Sequence, residues 1–266
     1  MDKNKIKNLA LYKLGGRKIE DFDVSDNQEA LLINAHYDLA LQEALSEHPF
    51  NFATKRIFIK EQKTSLSAAT ISNNSSDEYV FTISHSLNSG DKIRIDLSSD
   101  ENLNSTWNVT VPSSASFSVD GSVYNASTTL TDCTYSVIPS SEWSNMYSLP
   151  SDFLKAIALE NSSKNFVIEG NKLLTNETES VTLKYISKDV SESNFSMDFV
   201  NLLATLLASY IANALNGPAS KEFDYRKLYQ NLLINYKRKD SSQSRQNMNI
   251  NIEDSFVLQA RMGGLR

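Results

Sequence analysis

From Phe199 to Leu215 the chain carries no charged residue, and this feature restricts its fold more than any other. A bilayer span needs about 20 mostly apolar residues, and this run is shorter and interrupted by Asn201, Thr205, Ser209 and Asn213. It therefore reads as a helix buried in protein, from Asp198 to Asn216, closed by Gly217-Pro218. Ala204, Ala208 and Ala212 recur every four residues, so a facing backbone can come close along that stripe. Leu203, Leu207 and Ile211 form the stripe beside it.

Three more helices are legible. Ile6, Leu9, Ala10 and Leu14 keep helical spacing, and Gly15 suits the left-handed residue that ends a helix. Ser25 and Gln28 form a capping-box pattern for a second helix reaching about Glu47. Ala30, Ile33, Tyr37, Leu41 and Ala44 share one side of it, and Leu32, Ala35 and Leu39 widen the apolar arc. Ser220 is placed to cap a last helix that reaches about Lys239. Its Lys237, Arg238 and Lys239 suit the negative end of the helix dipole, with DNA contact as the alternative.

Between these helices the pattern turns to strands. Ile57 and Ile59 alternate with Arg56, Phe58 and Lys60. From Thr64 to Ser148 the composition shifts to Ser, Thr and Asn, with strands expected at Tyr79 to Ser84, Lys92 to Leu97, Trp107 to Val111, Ser116 to Asp120 and Thr128 to Ile138. Phe166 to Glu169 and Lys172 to Leu174 flank the turn pair Gly170-Asn171, and Val181 to Ile186 supplies a third strand. The fold class is thus α+β: a helical bundle core with a β-hairpin element, an inserted small all-β barrel or sandwich domain, and an extended C-terminal arm. The helical domain is discontinuous, residues 1–63 and 149–240 with the hairpin at 165–187; the β module takes 64–148 and the arm 241–266. In the arm, Ile250 and Ile252 alternate with Asn, and Phe256, Val257 and Leu258 follow as anchors for a neighbouring subunit or partner.

At 266 residues and 29.8 kDa the chain is large enough for one sizeable core or two smaller ones. A net charge of -6 argues against a surface built to grip phosphates. The single cysteine, Cys133, excludes an internal disulfide and a site of several thiolates. His36, His48 and His85 lie far apart in no metal-binding pattern, and His48 before Pro49 suits a helix end with open carbonyls. Gly15-Gly16 belongs to no nucleotide loop. Asp91, Asp96 and Asp100 lack the glycine and terminal glutamate of a calcium loop. No catalytic constellation, cofactor or metal site is indicated, and no secretory signal follows Met1 to Lys7, which points to synthesis in the cytosol.

Leu14-Gly15, Ile19, Tyr37-Asp38, His48 to Ala53, Arg56, Leu149-Pro150-Ser151-Asp152, the Gly170 hairpin and Tyr185 follow one another in an order that resembles the head-to-tail adaptor, or tail tubular protein A, of short-tailed bacteriophages. Phe50 departs from the Trp common there, and the insert departs in size. Within the insert, His85, Leu87, Gly90-Asp91, Ile93, Ile95, Leu103-Asn104, Trp107, Val109-Thr110 and Phe117-Ser118-Val119 are similar to a small β-barrel module of phage tail proteins and to a domain of ubiquitin-activating enzymes.

The resemblance implies a structural virion protein and not an enzyme. Such a protein is a dodecamer, a ring of about 12 copies at the portal vertex, assembled from chains made in the bacterial cytoplasm. Its partners are further copies of itself, the portal protein and the next tail ring or nozzle protein, with no membrane. DNA passes through without sequence-specific contact during genome ejection. The buried-helix stripes named above, with Tyr37 and Leu41, are then candidates for the subunit interface. The alternative is a cell-surface carbohydrate-binding or adhesion protein centred on the β module, with Tyr79, Trp107 and Tyr124 stacking on sugars.

Overall fold

A computed structural model describes residues 2–24, 27–139, 141–160, 165–177, 180–215 and 219–243. The chain is α+β, with a four-helix core and a curled antiparallel sheet. Its contacts divide it into two compact units, one from the residues up to Thr54 and from Lys188 onward, the other from Lys55–Ser187. The expected arm, with Ile250, Ile252, Phe256, Val257 and Leu258, lies outside the described residues.

The first unit consists of α1 (Lys3–Leu14), α2 (Gln28–Ser46), α3 (Met197–Ile211) and α4 (Ala219–Gln243). α3 is the centre and packs against the other three. It is apolar around most of its circumference, as a helix wrapped by others must be. Thr205 and Ser209 are fully buried there, and their hydroxyls donate back to the Asn201 and Leu206 carbonyls of the same helix. Ser196 caps its start by accepting from the Phe199 N–H. The helix ends at Ile211, short of the expected Asn216, and residues 212–215 continue as turns. Gly217-Pro218 lies outside the described residues.

α1 ends as expected. Gly15 takes φ 83°, and the Gly15 and Gly16 N–H groups donate to the Tyr12 and Leu11 carbonyls. The chain then folds back beside the helix because the Asn8 side chain pairs with both the N–H and the C=O of Ile19, at 2.9 Å each. α2 begins after Asn27, whose side chain accepts from the Glu29 N–H; Ser25 lies outside the described residues. α4 starts at Ala219, so Ser220 sits in its first turn and does not cap it. The helix runs on to Gln243, which takes Lys237 and Lys239 out of its last turn. They face acids of the same unit: Lys237 pairs with Glu47 at 3.7 Å and Lys239 with Asp198 at 2.8 Å.

The strands follow in chain order. They are β1 (Thr54–Ile59), β2 (Thr64–Ser65), β3 (Thr70–Asn73), β4 (Tyr79–Thr82), β5 (Lys92–Asp96), β6 (Thr106–Ser113) and β7 (Ser116–Val119). After these come β8 (Thr134–Ile138), β9 (Asn145–Ser148), β10 (Phe153–Leu159), β11 (Phe166–Glu169), β12 (Lys172–Thr175) and β13 (Val181–Ser187). Strands β2 to β8 form one antiparallel sheet, order β2-β8-β5-β6-β7-β4-β3, curled into a half-barrel over Leu66, Phe81, Ile93, Val109, Phe117 and Tyr135.

Two short sheets complete the second unit, and both correct the expected pairing. β11 and β12 form the expected hairpin, with Glu169 opposite Lys172 and Gly170 at φ 57°. Its third strand is β9, from the end of the expected module, while β13 pairs with β1 and β10. Burial explains the exchange: Tyr147 of β9 is fully buried, and its hydroxyl donates to the Glu177 carbonyl at 2.8 Å. β1 also departs from simple alternation, since Ile57 and Phe58 are both exposed and only Ile59 is buried.

Candidate functional site

Three of the quoted motifs, His48 to Ala53, Leu149 to Asp152 and Tyr185, build joints around two carboxylates, one in each unit. In the helical unit, Asp240 of α4 is buried and meets the segment after α2. His48 Nε2 lies 3.1 Å from its carboxylate, the Asn51 N–H donates to it at 3.3 Å, and the Asn51 side-chain amide donates to the Asp240 carbonyl at 3.0 Å. His48 thus faces a carboxylate and not the helix-end carbonyls expected for it. Around this tie the aromatic rings close up. Phe50 stacks on Phe52 and Tyr236, with centroids 5.6 and 5.1 Å away, and meets Phe199 edge-on at 5.1 Å.

In the second unit Asp152 plays the corresponding part. It accepts from Lys55 Nζ of β1 at 2.7 Å, and from the hydroxyls of Tyr185 at 2.9 Å and Ser187 at 2.8 Å, both on β13. Burial alone would raise its pKa, but these three donors together hold it down to about 2. Tyr185 shifts the other way, up to about 12, through burial and its bond to the carboxylate. The Leu-Pro-x-Asp motif and the later Tyr are therefore two halves of one structural joint.

The eight residues named for a subunit interface lie inside the helical unit. Leu203, Ala204, Leu207, Ala208, Ile211, Ala212 and Tyr37 are at most 1% exposed and Leu41 is 8% exposed. α1, α2 and α4 cover the α3 stripes, and Tyr37 lies beneath the ammonium of Lys3, 4.5 Å from its ring centroid. Among the described residues, the exposed apolar side chains of this unit include two groups on helix faces. On α2, Leu31, Ala35 and Leu39, spaced at i, i+4 and i+8, are exposed, with Asp38 exposed beside them. On α4, Phe223 is 70% and Ile234 51% exposed, about three turns apart on one side that also carries exposed Lys227.

Between these faces α2, α3 and α4 are joined by Glu43, which accepts from the Tyr210 hydroxyl and from Arg226 Nη1 at 2.6 Å. The Arg226 guanidinium also lies 4.5 Å from the Tyr210 ring centroid, so removing its charge would break two contacts.

Among the described residues of the second unit, two concave features stand out. The larger, about 1190 Å³, runs along a chain of ion pairs. Arg94 binds Glu61 at 2.6 Å and the Asn145 side chain at 3.0 Å, and Lys63 binds Asp96 at 2.8 Å. Acids and bases alternate and engage one another, which leaves the cleft no net preference for an anion or a cation. The smaller, about 520 Å³, brings together the three aromatics named from the sequence, Tyr79, Trp107 and Tyr124, with Asp100, Asn102 and Asn125. Tyr79 forms its floor, while Trp107 and Tyr124 are half-buried. Asp100, in the turn between β5 and β6, reaches the aromatics through the Tyr79 hydroxyl, a long-range contact that local spacing does not reveal.

Several other titratable groups have partners within the second unit. His85 Nδ1 accepts from the Leu87 N–H at 3.1 Å, and the ring meets Phe117 edge-on at 5.1 Å. Asp91, Asp96 and Asp100 turn to different partners: the Asn88 N–H, the Lys63 ammonium and the Tyr79 hydroxyl. Among the described residues no group of three or more His, Cys, Asp or Glu is arranged to hold a metal ion. Cys133 is fully buried, and burial, followed by the charge of Asp96, pushes its thiol up to about 11. Among the described residues no helix is long and apolar enough to cross a membrane. Compared with known protein families and with curated proteins, the sequence finds no match.

Proposed function

We propose that the chain is a structural subunit of a ring that joins a phage portal to its tail and lines part of the channel for genome exit. The observation that carries this reading is the pair of unlike apolar faces on the helical unit, Leu31/Ala35/Leu39 on α2 and Phe223/Ile234 on α4. A head-to-tail ring contact needs two different, complementary surfaces on each subunit. Of their exposed flanking charges, Lys227 stands beside the second, while Asp38 beside the first also pairs with Lys3 of the same chain at 3.4 Å. Support also comes from Asp152 of the Leu-Pro-x-Asp motif, which accepts from the quoted Tyr185. The net charge of -6 suits a conduit, since tight phosphate binding would hold back DNA.

The test mixes the full chain with rings of the portal protein encoded in the same genome and follows co-sedimentation. The native chain is expected to co-sediment as closed rings. Leu39→Glu and Phe223→Glu are expected to abolish this while shifting folding stability by no more than about 0.5 kcal/mol, as exposed substitutions do. Absence of rings for the native chain, or unchanged assembly of both variants, contradicts the reading.

A further inference from the structure

We infer that the pocket of Tyr79, Trp107 and Tyr124 in the second unit is a binding site for a neutral sugar residue at the end of a glycan. Its volume of about 520 Å³ lies within the range of small-molecule sites. The aromatics are fixed before any ligand arrives. The Trp107 indole N–H donates to the Leu103 carbonyl at 2.9 Å, and Tyr124 meets Tyr79 edge-on at 5.3 Å. The Tyr79 hydroxyl lies 2.7 Å from Asp100 and 2.5 Å from the Thr128 hydroxyl. Trp107 is therefore held by its edge, which leaves ring surface for the C–H face of a pyranose.

The polar groups at the rim complete the match. Among the described residues the Asn102 side-chain amide, the Tyr124 hydroxyl and the Asn125 NH₂ make no hydrogen bond within the chain. Asp100 is oriented by the Tyr79 hydroxyl and the Asn102 N–H, and its oxygens keep lone pairs for sugar hydroxyls. No Lys, Arg or His lines the pocket, and its one carboxylate disfavours phosphates and acidic sugars. A quaternary ammonium is the nearest competitor, because it too uses aromatic rings and an acid. It fits less well: Tyr79 is only 1% exposed, which leaves two rings for a cage, and a methylated cation would use none of the amide or hydroxyl groups.

The test uses the full chain, a panel of immobilised neutral oligosaccharides (gluco-, galacto-, manno- and N-acetylglucosamine series), and titration of the best binder beside choline and inorganic phosphate. Binding of at least one neutral glycan is expected. Trp107→Ala should weaken it by about tenfold or more, the scale of losing one aromatic contact and its buried area. Asn102→Ala, which changes an exposed side chain and leaves the fold intact, should weaken it severalfold. Binding of no neutral glycan, preference for choline or phosphate, or undiminished binding by Asn102→Ala and Trp107→Ala would each overturn the inference. This result is independent of ring assembly, since none of these residues lies in the helical unit.

Discussion

The helical unit and the β-rich unit solve burial in opposite ways. In the first, one uncharged helix is wrapped by three others, and the covering helices keep apolar side chains on their outer faces: Leu31 and Leu39 on α2, Phe223 and Ile234 on α4. In the second, short strands curl over an apolar core, and the surface carries an ion-paired cleft, an aromatic pocket edged by amides, and single exposed apolar side chains such as Phe58, Leu97 and Val123. Apolar stripes on a helix call for another protein surface, while an aromatic pocket with unengaged amides calls for a small polar ligand. The two units therefore point to two kinds of partner.

The contrast can be broken most forcefully at the helical core. Phe199 is fully buried and touches Phe50, Phe52, Phe195 and Tyr236. Phe199→Ala is expected to cost about 3–5 kcal/mol, read by chemical denaturation. Hydrogen exchange should show protection lost in α3 and α4 and kept in β5 and β6. Equal loss in both regions would mean that the units do not keep separate cores.

In the second unit the sensitive element is charged. The Glu61 side chain is 6% exposed and meets the Arg94 guanidinium. Arg94→Ala leaves that carboxylate only the longer Lys63 contact, 3.7 Å, and should cost up to about 3 kcal/mol, whereas Arg94→Met with Glu61→Gln should recover much of it. Denaturation of the three variants distinguishes a required pair from a replaceable one. A smaller effect concerns pH. The Asp152 carboxyl sits at about 2 in the folded chain against an ordinary 3.8. A depressed carboxylate contributes stability above its unfolded value, and that contribution is lost as pH falls through the folded value. Stability should therefore decline from about pH 4 to pH 2, and Asp152→Asn should flatten this part of the curve while lowering stability at neutral pH.

The helices were legible because each signal was local: the uncharged run of α3, the Gly15 stop, the spacing of Ile33, Tyr37 and Leu41. The 170–171 turn was legible for the same reason, since its residues themselves set the backbone. Pairing was not. β10, Phe-Leu-Lys-Ala-Ile-Ala-Leu, has a composition that suits a helix, and only its place beside β13 makes it a strand. β9 joined the hairpin through a buried tyrosine that no turn signal announces. For the candidate sites, aromatic identity was visible at Tyr79, Trp107 and Tyr124, but their meeting with Asp100 required the sheet. The α3 stripes suggested a subunit interface from their spacing alone, but helices of the same unit cover them.

The ring claim is tested most directly by cysteine cross-linking on portal rings, with Leu39→Cys and Phe223→Cys placed in the same chain. The native Cys133 is buried with a raised thiol pKa and stays out of the reaction. The double variant should give a ladder of covalent oligomers, and either single variant should give none, because the contact joins unlike faces. A ladder absent from the double variant, or dimers formed by a single variant, would contradict a head-to-tail ring built on α2 and α4.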